Sequence, residues 1–148
     1  MKPKFDQTLY DRDLQLWCLE TIAKLKARNF EQLDIDNLLQ EIESLVRRDR
    51  REIKSRLGTL LEHLLKRIYV DSAYDNRGWE LTIKEKRRQL QLLLEESPSL
   101  KQYFANVFED CWQYTRSQVI KEYAKAQFPN QWQFNSEVDA ILSEEFWH

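Results

Sequence analysis

The chain has 148 residues, a net charge of −2 and a pI near 5.8, with only two glycines, three prolines and two cysteines. That length supports one domain with a sizeable core. The shortage of turn formers and the leucine-rich apolar content argue against a β-sheet protein, and the near-neutral charge gives no global pull toward nucleic acid.

Residues 1–8 read as a loose arm. Asp11, or a residue just before it, can cap a first helix running to about Arg28, because Leu14, Trp17, Cys18, Ile22 and Leu25 recur at three- and four-residue steps. After a short connection over Asn29–Leu33, Asp34 or Asp36 can cap a second, much longer helix. The stretch from Asp36 to about Asp71 has no proline and a single glycine, and would span roughly 50 Å as one rod. Its stripe is Leu38, Ile42, Leu45, Val46, Ile53, Leu57, Leu60, Leu61, Leu64 and Ile68. The charge density of Arg47–Arg56 leaves open whether this is one helix or two, and Asp49 falls inside the stripe.

Tyr74–Gly78 (YDNRG) reads as a turn by composition. A third helix, about Trp79–Glu96, places Trp79, Ile83, Leu90, Leu93 and Leu94 on one face, with Lys86 and Arg87 on or beside it. Ser97-Pro98 is a helix start signal, and a fourth helix follows to about Lys125. Its inward face is Leu100, Tyr103, Phe104, Val107, Phe108, Cys111 and Val119, continued in polar form by Thr115, Gln118 and Glu122. An aromatic connection over Gln127–Asn135 leads to a short last helix, about Glu137–Glu145, capped by Ser136. The expectation is an all-α, up-down four-helix bundle in one domain spanning 1–148, with a long second helix and a short C-terminal helix packed on it.

The order and spacing of several short patterns point to a family. YDxDxxxW (Tyr10–Trp17) precedes LDxxNLxxEIE (Leu33–Glu43); LLxHLLK (Leu60–Lys66), Trp79 with Thr82-Ile83 and Arg87, and SPSL (Ser97–Leu100) follow. Together they resemble the bacterial family catalogued as domain of unknown function number twenty-nine, across nearly the whole chain. The resemblance implies a helical, intracellular protein and brings no activity with it.

Candidate chemistry is sparse. Glu-x-x-His pairs, HExxH and cysteine–histidine zinc spacings do not occur. Asp11, Asp13, Glu41 and Glu43 could hold a hard cation such as Mg²⁺, but they read better as helix caps and solvated carboxylates. No cofactor motif is present, so none is expected. His63 lies about 130° from its own leucine stripe, on a flank shared with Arg56, Thr59 and Arg67. An antiparallel turn at Tyr74–Asn76 would bring it level with Lys86, in a basic neighbourhood expected to lower its pKa.

Charge is unevenly spread: residues 1–46 carry −3, residues 47–88 carry +6 and residues 89–148 carry −5. The middle segment is a basic belt that includes Arg47, Arg48, Arg50, Arg51, Lys54, Arg56, Lys84, Lys86, Arg87 and Arg88. Acidic residues interleave it, so a solvated helix surface is the plainer reading and a phosphate-tracking surface the sharper one. Phe128, Trp132, Phe134, Phe146 and Trp147 make an aromatic tail that either straps the last segment onto the bundle or forms an interaction patch. Cys18 and Cys111 read as free core thiols of a reducing compartment. No window approaches about 18 apolar residues and no signal peptide is apparent, so a cytoplasmic, membrane-free protein is expected.

These features favour a non-enzymatic helical module that binds another protein or itself. Candidate surface residues are His63, Arg56, Arg67, Lys86, Arg87, Arg47, Arg48, Arg50, Arg51, Trp132 and Trp147. The alternatives are a nucleic-acid-binding module using the belt, and a hydrolase with an acidic, histidine-assisted site around Glu41 and His63.

Overall fold

A computed structural model describes residues 8–147. Among them the order is α1 (Leu9–Arg12), α2 (Leu14–Lys26), a 3-10 turn (Phe30–Gln32), α3 (Ile35–Tyr69), α4 (Ala73–Glu96), α5 (Leu100–Glu122) and α6 (Val138–Ser143), with no strand. The all-α architecture, the long continuous helix and the short C-terminal helix are as the periodicity requires. The charged Arg47–Arg56 segment is continuous helix, so 36–71 holds one helix and not two. Of the expected N-terminal arm, only Thr8 lies among the described residues.

The chain divides between Arg47 and Arg48 into two compact units. In the first unit the expected single helix is two. Thr8 caps α1 by accepting from the Asp11 N–H, and Asp13 caps α2 by accepting from the Leu16 N–H at 3.0 Å. Asp13 therefore interrupts the helix that its neighbours would have continued. Helix α2 ends where Arg28 turns left-handed (φ 58°) and Asn29 N–H reaches the Lys24 carbonyl at 2.9 Å. Asp34 starts α3, taking the Asn37 N–H at 3.3 Å and its side-chain amide at 2.6 Å. Tyr10 joins the three helices: its ring meets Trp17 edge-on at 4.9 Å and its hydroxyl donates to Glu41 at 2.6 Å.

The second unit is built from the rest of α3 with α4, α5 and α6. Helix α4 runs antiparallel to α3, as Arg56 donates to Gln89 and Arg67 to Glu80 at 2.8 Å. Helix α5 runs parallel to α3, as the Cys111 thiol reaches the Lys54 carbonyl at 3.7 Å, Thr115 the Gly58 carbonyl at 3.4 Å, and Lys66 pairs with Glu122 at 3.4 Å. The shared core includes Ile53, Leu57, Leu60, Leu64, Ile83, Leu90, Phe104 and Val119, all fully or almost fully buried.

Three expected boundaries move. Tyr74–Gly78 is helix and not turn, because Ser72 caps α4 through the Asp75 N–H and the helix must begin early enough to deliver Trp79 to the interior. The actual turn is Val70–Ser72, which shifts the α3–α4 register by about one helical turn. Helix α5 starts at Leu100 after a turn at Pro98-Ser99, and α6 is the shorter Val138–Ser143 with Glu137 at its cap position. Asp49 is not a buried aspartate: its side chain is 35% exposed and sits 3.7 Å from Arg48.

Candidate interaction surface

The first unit buries little of what it carries. Among its described residues only Trp17 and Thr21 are buried. Leu14, Leu16, Leu19, Ile22 and Leu25 of α2, Phe30 of the turn, and Ile35, Leu39, Ile42, Leu45 and Val46 of α3 are 41–57% exposed. The inward face expected for α2 is thus buried only at Trp17, with Cys18 half-buried and Leu14, Ile22 and Leu25 open. At about 100° per residue, Ile35, Leu39, Ile42 and Val46 form a narrow line with Leu45 beside it. Tyr10 engages a different side of α3, at Glu41, and leaves that line open. Taking roughly 180 Å² for a fully exposed large aliphatic residue, the eleven side chains expose on the order of 1,000 Å² in all; the five of α3 give about half of it along one side, and those of α2 spread over about 200° of that helix.

The acidic groups of this unit are engaged structurally. Asp13 is a cap, Asp11 accepts from the Thr8 hydroxyl at 3.0 Å, and Glu41 accepts from Tyr10. That last bond favours the protonated phenol and pushes the Tyr10 pKa up to about 12, with desolvation adding to it. Among the described residues no group of three or more His, Cys, Asp and Glu side chains is placed to hold a metal ion.

In the second unit the basic belt is dispersed. Arg48 faces Asp49, Arg50 lies over the Tyr103 ring at 5.3 Å, and Arg88 pairs with Glu85 at 2.7 Å, which holds the Glu85 carboxyl below its ordinary range. Arg56 and Lys86 both donate to Gln89. Arg67 is held by Glu80 and stacks on Trp147 at 5.6 Å. Arg51 and Lys54 line a cleft of about 590 Å³ between α3 and α5, together with Ser55, Gly58, Cys111 and Thr115. Burial pushes the Cys111 thiol up. Arg47 belongs to the first unit and reaches only the Ser44 hydroxyl, at 3.0 Å, one turn away.

Arg87 is the belt residue with the most internal partners. Its guanidinium donates to the Ile141 carbonyl at 2.9 Å and the Glu144 carbonyl at 2.6 Å, capping the C-terminal end of α6. It also lies 5.9 Å from both the Phe146 and Trp147 rings, and burial lowers its pKa from the ordinary arginine value.

His63 does not bridge helices. Its Nδ1 sits 2.8 Å from the carbonyl of Thr59 in its own helix and 3.7 Å from Glu62. The turn at 70–72 brings Thr82-Ile83, not Lys86, to its level. Glu41 and His63, paired in the hydrolase reading, are each engaged separately and lie 22 residues apart on one helix.

The aromatic tail straps onto the second unit. Trp132 meets Phe108, Trp112, Phe134 and Phe146 edge-on at 5.2–6.1 Å. Trp112 donates to the Asn130 carbonyl at 3.1 Å, and Arg116 to the Pro129 carbonyl at 2.6 Å. Trp132 and Trp147 are both partly buried in this cluster.

Three buried residues of α3 and α5 were absent from the sequence-derived faces, among them Leu65, fully buried four residues after Leu61. Trp112 is fully buried, and its spacing of four from Phe108 was the available signal. Lys66 is 8% exposed, its ammonium held between Glu62 and Glu122 and 5.7 Å from the Tyr123 ring. The Glu62–Lys66 spacing of four gave half of that arrangement.

No helix among the described residues is long and apolar enough to cross a membrane. No curated protein and no solved structure matches the chain. Residues 9–147 match the family described as Domain of unknown function DUF29, and the patterns that built the resemblance hold their places here, with Tyr10, Asp13 and Trp17 fixing the hairpin and Arg87 fixing α6. The chain belongs to that family.

Proposed function

We propose that this chain is a helical module that works by binding protein rather than by catalysis, and that its working surface is the open face of the N-terminal hairpin. One observation carries the reading. The apolar stripe of α3 is fully buried at Ile53, Leu57 and Leu60 but half exposed at Ile35, Leu39, Ile42 and Val46. Ordering a residue costs about 1–2 kcal/mol of backbone entropy, and a hairpin that buries two side chains recovers little of that by itself. A covering surface supplies the rest. The belt gives less support to the nucleic-acid alternative, since most of its side chains are tied to partners within the second unit.

The test is native mass spectrometry of the protein taken at low salt from its own cells. A species heavier than 18.0 kDa is expected, and a Leu39→Lys/Ile42→Lys double substitution should abolish it while helix content is unchanged. A heavier species indifferent to the double substitution, or an 18.0 kDa species alone, overturns the proposal.

A further inference from the structure

We infer that the occupant of this face is a second copy of the chain, docked antiparallel about a two-fold axis beside residues 41 and 42 of α3. The inference rests on the reading above and adds the identity of the partner.

Three observations converge on it. The first is area: the five α3 side chains alone present on the order of 500 Å² from each copy, about 1,000 Å² for two, the size a specific interface must reach, and the α2 side chains that share that side add to it. The second is chemistry. Ten of the eleven exposed side chains are leucine, isoleucine or valine, and Phe30 is the one aromatic. Such a face is like a domain core cut in half, the hallmark of self-associating interfaces, and lacks the tryptophan and tyrosine anchors of transient ones. Two hairpins placed face to face complete a four-helix bundle, the closed solution for helices with one open side.

The third observation is charge, and it sets the direction. Asp36 and Arg47 are exposed and lie on the same flank of the open line, about 20° apart around the helix. In an antiparallel pair related by a two-fold axis, each flank meets the same flank of the other copy. Asp36 then faces the second copy's Arg47, and Arg47 the second copy's Asp36. The midpoint of these two positions falls between 41 and 42, which is also the middle of Ile35, Leu39, Ile42, Leu45 and Val46. One axis therefore centres both the apolar contact and two symmetric ion pairs. A parallel two-fold pairing would set each flank against the opposite flank of the other copy, and Asp36 and Arg47 would not meet. Within one chain the two are eleven residues, or roughly 16 Å, apart along the helix, too far to pair with each other, and neither makes an ion pair among the described residues.

Sedimentation or light scattering of the purified full chain over about 1–100 µM tests this. The expected mass is twice 18.0 kDa. Asp36→Arg alone and Arg47→Asp alone should each weaken the dimer by about fivefold, and the two together should restore it to within about twofold of the native value. That rescue requires the two positions to meet across copies, so a general effect on the hairpin cannot produce it. An 18.0 kDa species throughout, or a double variant no better than the singles, overturns the inference. If the purified chain is monomeric while a heavier complex from its own cells is lost in Leu39→Lys/Ile42→Lys, the partner is a different protein: the inference falls and the interaction reading stands. If neither association is found, both fall.

Discussion

Helix α3 carries one stripe through two environments. From Ile53 to Leu64 the stripe lies under α4 and α5 at 0% exposure, and ahead of Val46 the same line of side chains is about half open. Nothing in the residue types distinguishes the halves, since leucine and isoleucine dominate both. What differs is the supply of neighbours. Amphipathicity states that a face is to be covered, and leaves unstated whether the cover comes from the same chain.

The largest expected effect separates the halves directly. Leu60→Ala should cost about 2–5 kcal/mol, because a fully packed site collapses only partly around the cavity. Ile42→Ala, measured in chemical denaturation at high dilution, should cost less than about 1 kcal/mol. Equal costs would break the comparison. Next, Arg87→Met should cost about 1.5–3 kcal/mol by removing two charge-assisted bonds, and the amides of α6 should exchange faster. Arg88→Met, at an exposed position beside it, should leave stability nearly unchanged. Matching losses at Arg87 and Arg88 would mean that the α6 clamp is energetically idle.

A smaller gain is expected at Gly78, a helical position where an added Cβ meets nothing within 4 Å. Gly78→Ala should raise stability by about 0.5–1 kcal/mol, and no gain in thermal melting would argue against the helical start at Ala73. The smallest test sharpens the hairpin. Tyr10 holds its proton up to about pH 12 through Glu41. Its folded pKa lies above the ordinary value of 10, so its contribution is complete below pH 10 and is lost as pH rises from 10 toward 12. Tyr69 is raised as well, by burial, so absorbance at 295 nm should show a late-titrating component of which the Tyr10 part returns toward 10 in Glu41→Gln; an unchanged curve would remove the Tyr10–Glu41 link.

Periodicity made the helices and the second-unit core readable, and capping chemistry made Asp34 readable as the start of α3. Turn composition failed at Tyr74–Gly78, where the Ser72 cap and the pull of Trp79 outweigh a local preference worth only tenths of a kcal/mol per residue. The belt was legible as a charge count but not as geometry. Arg87 and Arg88 are neighbours in sequence, yet one caps α6 and the other faces a carboxylate in its own helix. The open hairpin face escaped sequence reasoning for the reason given by α3 itself: an apolar stripe looks the same covered or uncovered.

The strap has a consequence for the order of folding events. Arg87 binds carbonyls 54 and 57 residues further along the chain, and Tyr69 touches Gln133 across 64. Closing loops of that length is entropically costly and is repaid only once α4 and α5 offer a finished dock. Tail contacts then form late, after the barrier is crossed. Substitutions such as Trp132→Ala should steepen the escape from the native state, raising the unfolding rate while leaving the folding rate nearly unchanged. A slowed folding limb in that variant's chevron would place the strap in the nucleus instead. With the strap closing last, the aromatic cluster works as a latch: it sets how long the second unit persists more than how quickly it forms.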